Sequence, residues 1–130
     1  MGEIDVELRQ HLLTVPEVRA AFGEQIFNGT VDDGTVGCYA IISIVNTNGS
    51  YTLQDRSAGS VVVQVDIYDD DKVVCDASGK VIETVLDGYR GQIGSLVAGF
   101  VFIQNKMVYW DAVVRKWRRL LEVRIGTRDW

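Results

Sequence analysis

The sequence predicts a single α+β domain, in which helices and strands follow one another in mixed order. Three observations support this. Apolar residues recur at helical spacing near the start of the chain, residues 60–68 alternate as a strand does, and residues 72–86 return to helical spacing. A chain of 130 residues is long enough to bury one hydrophobic core without disulfides or metals.

The first helix is predicted near the start of the chain. Ile4, Leu8 and Leu12 recur every four residues and form one apolar stripe. Acidic residues in the first turn suit the positive end of the helix dipole. Pro16 ends this helix and starts a second, short one, which Gly23 closes.

Strands are predicted on both sides of a polar segment. A short strand over residues 25–30 and a β-branched run over residues 38–46 precede it. Residues 47–59 are polar, and a loop of this length inside a compact domain is usually functional or disordered. The strand that follows places these residues on one face: Val61, Val63, Val65 and Ile67.

Residues 72–86 predict an amphipathic helix that ends at Gly88, a C′ glycine. Its predicted apolar stripe consists of Val74, Ala77, Val81 and Val85, with Ile82 and Leu86 beside them. The aspartates 69–71 stand at its N-terminus, where carboxylates accept hydrogen bonds from backbone N–H groups. Gly79 costs about 1 kcal/mol relative to alanine in mid-helix, which indicates a close backbone approach or a kink.

Two chemical interpretations of this stretch do not fit. A calcium-binding loop needs glycine at its sixth position, where the chain has Asp71 or Val74, depending on the register. A phosphate-binding loop needs its first glycine at the position of Val74 and Ser or Thr at the position of Val81. The stretch is therefore interpreted as a capped helix.

The remaining residues predict further strands. Residues 89–111 are strand material with a turn near residues 104–106. In the last strand, residues 117–128, one predicted face is mostly core and contains Trp117, Arg119, Leu121, Val123, Ile125 and Thr127. The other face contains Arg118, Leu120, Glu122, Arg124 and Arg128.

Charge is distributed unevenly along the chain. Residues 1–111 carry sixteen acids and seven bases, whereas residues 112–130 carry two acids and six bases, for a net charge of −5. An acidic body disfavours binding to a nucleic-acid backbone. The basic end predicts either complementary contacts between copies or an edge strand protected from aggregation, and both alternatives stay open.

The sequence predicts no enzyme, no catalytic residue, no metal and no cofactor. His11 is the single histidine, and the motifs Gly-x-Ser-x-Gly, Cys-x-x-Cys and His-Glu-x-x-His do not occur. Cys38 and Cys75 are expected to be reduced, buried thiols. No apolar run approaches the roughly 20 residues of a membrane span. A small-ligand-binding domain that uses the helix start at residues 69–71 remains the alternative from another functional class.

From Ile4 to Arg128 the chain resembles the tail terminator, or tail completion, proteins of long-tailed bacteriophages. The matching segments are "LRQHLLTVPEVRAAFGEQIFNG", "TLQDRSAGSVVVQVDIYDDD", "VIETVLDGYRG" and "KWRRLLEVRIGTR". Many relatives have a proline before the first long strand, where this chain has "VGCYA". The resemblance implies a mixed, mainly antiparallel sheet packed against two main helices.

The resemblance also implies a structural virion protein. Such proteins form a ring, typically a hexamer, that caps the tail tube and ends its polymerisation. The implied partners are other copies of the chain, the major tail tube protein and the head connector or stopper protein, with DNA passing through the lumen and no membrane contact. The implied location is the head-proximal end of the virion tail, after assembly in the host cytoplasm. A head-completion or connector protein of the neck is the alternative.

A subunit or tube interface is predicted at two places. The polar segment contributes Tyr51, Leu53, Asp55 and Arg56, and the last strand contributes Arg118, Arg119, Arg124 and Arg128. Tyrosine and arginine are prominent among the residues that dominate interface energies. Charge reversal at positions 118, 119 and 124 is expected to weaken ring assembly and to leave the fold intact.

Overall fold

The computed structural model describes residues 3–31, 34–45 and 60–127, with only the backbone of Thr127. Its helices are α1 (Ile4–Leu13), α2 (Pro16–Phe22) and α3 (Lys72–Leu86). Its strands are β1 (Ile26–Asn28), β2 (Tyr39–Ile44), β3 (Ser60–Asp69), β4 (Gly91–Ile93), β5 (Leu96–Asp111) and β6 (Lys116–Thr127). The predicted α+β fold is confirmed.

The strands form one sheet in the order β1-β2-β3-β6-β5-β4. β1 is parallel to β2, and every other pair is antiparallel, so the sheet is mixed and mainly antiparallel as expected. β6 lies between β3 and β5, although it follows them in the chain. A central strand of the sheet, β6, is therefore the last strand in the sequence.

The helices cover one face of the sheet. Leu8 from α1, Ile82 from α3, Val63 of β3 and Leu121 of β6 are fully buried in the same core. Alternation along a strand sends every second side chain into this core. The predicted core-facing sets of β3 and β6 are thus confirmed for Val61, Val63, Val65, Ile67, Leu121, Val123 and Ile125.

The predicted apolar stripe of α3 is displaced from the face that packs on the sheet. Val74 is 40% exposed and Ala77 is also exposed, so this part of the prediction was wrong. The buried face consists of Cys75, Ser78, Gly79, Ile82 and Leu86. Small residues are needed there because Arg119 of β6 crosses beneath the helix. A Cβ on Gly79 would lie 2.1 Å from Arg119 Cδ, which confirms the predicted close approach.

The aspartates before α3 stabilise its start, as predicted. The Asp71 carboxylate is the N-cap and accepts a hydrogen bond from the Val73 N–H at 2.8 Å. Asp69 accepts one from the Asp71 N–H at 2.8 Å, whereas Asp70 instead pairs with Lys116 at 3.0 Å. Gly88 follows the helix with φ +84°, the left-handed conformation expected of a C′ glycine.

The predicted turn near residues 104–106 was wrong. β5 continues through these residues to Asp111, and a register shift between Ile103 and Asn105 accommodates one extra residue as a bulge. The polar side chains there point to solvent from a strand at the side of the sheet, so their polarity marks exposure and not a turn. The chain reverses instead at residues 112–115, where Arg115 has φ 61°.

Candidate interaction surface on the open sheet face

The face of the sheet opposite the helices is the open face. None of the described helices covers it, yet Val62, Asp66 and Tyr68 of β3 are buried there. Long side chains from the neighbouring strands must therefore shield them. The network of Arg118, described next, covers Asp66 and Tyr68.

Arg118 of β6 joins two carboxylates on the open face. Its Nε donates to Asp66 Oδ1 and its Nη1 to Asp111 Oδ2, both at 3.0 Å. Gln64 Nε2 donates to the second oxygen of Asp66 at 2.8 Å. The Asp66 side chain is only 6% exposed. A buried carboxylate needs such partners because an unpaired charge away from water is costly.

Aromatic rings extend this network across four strands. The rings of Tyr39 and Tyr68 stack with centroids 5.0 Å apart. The guanidinium of Arg118 lies 5.4 Å from the ring of Tyr68 and 5.5 Å from that of Tyr109. Each contact has cation–π geometry, which contributes more when the cation is partly desolvated. The row Tyr39, Tyr68, Arg118 and Tyr109 thus ties β2, β3, β6 and β5 together.

The same contacts shift two pKa values. Burial, and then the nearby Asp66 carboxylate, raise the pKa of the Tyr68 hydroxyl, which stays neutral at physiological pH. Desolvation alone would raise the pKa of Asp111. Hydrogen bonds from the Val114 N–H, Arg118 and the Val113 N–H outweigh it and lower that pKa. Asp111 is therefore held in its charged form at neutral pH.

The described arginines of β6 are bonded within one copy, and Arg119 lies on the predicted core face of the strand. Arg119 lies on the helix side, is 7% exposed and bonds to Glu83 and Asp76. Arg118 is paired as described, and Arg124 donates to Gln104 Oε1 at 2.8 Å and to the Ser60 hydroxyl. Arg118 and Arg119 are thus paired with carboxylates of the same copy, whereas Arg124 is bonded to neutral groups.

These positions bear on the predicted interface. Reversal of the Arg119 charge is not compatible with an intact fold, because it would place three carboxylates together in a buried position. That expectation is corrected, and an interface role for Arg118, Arg119 and Arg124 stays a prediction. The other predicted interface residues lie outside the described ranges: Tyr51, Leu53, Asp55, Arg56 and Arg128.

Apolar side chains are exposed along β5, a feature that the sequence reasoning missed. Phe102, Met107 and Trp110 are between 41% and 48% exposed. β4 pairs only with Leu96–Ala98, so most of β5 lies at the side of the described sheet. The apolar run "MVYW" after Lys106 could have indicated these exposed residues. It was not used because a turn was predicted just before it.

A shallow polar groove of about 710 Å³ lies between α3 and β5. Its carboxylates are already bonded, because Glu83 binds Lys106 and Arg119, and Asp87 accepts a hydrogen bond from the Ile103 N–H.

Within the described ranges, no group of three or more His, Cys, Asp or Glu residues is placed to hold a metal ion. No helix in that part of the chain is both long and apolar enough to cross a membrane.

The thiols and the histidine occupy protected positions. Cys75 is buried, and its Sγ lies 3.4 Å from the Ile67 carbonyl oxygen. Both thiols are free, and burial raises the pKa of Cys38 and of Cys75 to about 11, so both are protonated at neutral pH. His11 packs against the ring of Tyr89 at 4.9 Å, and its Nε2 is buried with no partner among the described residues.

The buried position of His11 is expected to make the fold less stable in acid. Burial lowers its pKa below 6.5, so the unfolded chain binds a proton more readily than the folded one. Stability should therefore fall as the pH drops through about 6.5 and on to the lower folded pKa. We expect the loss of melting temperature between about pH 7.5 and about pH 5 to be smaller for His11→Phe than for the parent. An equal loss in both would contradict a role for His11.

Similarity to known proteins lies in the fold. No protein-family model and no curated protein sequence matches this chain. A solved structure does. A chain of "Virion of native gene transfer agent (GTA) particle" superimposes with a TM-score of 0.71, over 96% of this chain and 94% of that chain, at 13% sequence identity. At this identity the similarity shows a shared fold.

Proposed function

We propose that this protein is a structural component of a phage-like virion. The observation that carries the proposal is the near-complete match in fold to a chain of a gene transfer agent virion, which leaves no large part of either chain unmatched. Within the virion we assign it the role of tail terminator. The sequence segments that resemble tail terminator proteins support this finer assignment.

The geometry suits a protein that acts by assembly. The most strongly buried charged side chains of the sheet, Asp66 and Arg119, are bonded to other side chains, so they stabilise the subunit. Exposed apolar side chains gather along β5 instead. Such surfaces commonly mark contacts with other proteins. A ring further requires that one patch of a copy meets a different patch of the next.

In this role, copies of the chain form a ring, taken here as a hexamer, that caps the tail tube and ends its growth. The major tail tube protein and the head connector or stopper protein are its partners on the two sides of the ring. DNA passes through the lumen. The net charge of −5 suits such passage, because a negative wall does not attract the phosphate backbone.

The proposal is tested with tail tubes of the particle that encodes the chain. Gold-labelled protein should bind one end of each tube in electron micrographs. Tubes polymerised with the protein present should be shorter and more uniform than tubes polymerised without it. Label along the whole tube, or no effect on tube length, would contradict the terminator role. Label on connectors in the absence of tubes would instead indicate a neck protein.

A further inference from the structure

We draw no further inference here: the strongest candidate, the outer edge of β5 between Asn105 and Trp110 with the exposed side chains of Met107 and Trp110 beside it, lies at the side of the described sheet, and nothing in the described part of the chain shows what covers it.

Discussion

Replacement of Arg119 by methionine should lower the free energy of unfolding by about 3–5 kcal/mol. Methionine keeps the apolar stem that lies beneath Gly79 but removes the guanidinium. Glu83, whose side chain is 14% exposed, then loses two hydrogen bonds and retains only Lys106 as a charged partner among the described residues. A buried carboxylate that loses its partner is strongly destabilising. Chemical denaturation followed by circular dichroism measures the change.

Arg124→Met is the matched control for this prediction. It changes the same residue type on the same strand, but Arg124 hydrogen-bonds to neutral groups, and its loss should cost less than about 1.5 kcal/mol. Adding Glu83→Gln to Arg119→Met should recover part of the stability because the carboxylate that lost the guanidinium is then replaced by a neutral amide. Equal costs for the two single variants would show that the contact beneath α3 contributes no more than the hydrogen bonds of Arg124 to neutral groups.

Replacement of Arg118 by leucine should have the second largest effect, a loss of about 3 kcal/mol. The variant leaves Asp66 buried with Gln64 as its described side-chain partner and removes both cation–π contacts. The open face is then expected to expose Tyr68 and Tyr109, which tyrosine fluorescence and thermal unfolding would report. Leucine at position 118 combined with Asp66→Asn should be more stable than the single variant. If the double variant is the less stable one, burial of an unpaired charge is not the cause.

The sequence indicated elements well where periodicity and packing agree. The stripe of α1 and the alternation of β3 follow directly from burial against one core, so both predictions were confirmed. The stripe of α3 could not be found in this way. Its buried face contains Ser78 and Gly79 because a charged side chain from a distant strand passes there. Hydropathy along the helix carries no information about that crossing.

The candidate surface was still less accessible to sequence reasoning. The arginines of β6 were counted as surface charge, yet their partners Asp66, Asp76 and Glu83 come from β3 and α3 and become neighbours only in the folded sheet. The place of β5 at the side of the described sheet depends on the strand order, which the sequence did not predict. The polar segment was recognised from composition alone, and an interface role for its residues stays a prediction.

The position of β6 in the sheet has a consequence for folding during translation. β6 lies between β3 and β5, and Ser60 of β3 pairs with Gly126 of β6, which is synthesised much later. A nascent chain therefore cannot complete its core until residues up to about 127 have left the exit tunnel, and until then its apolar strands lack their central neighbour. A translational arrest before β6 should yield chains that chaperones hold and proteases remove, whereas an arrest beyond it, with a linker that spans the tunnel, should yield a protease-resistant domain.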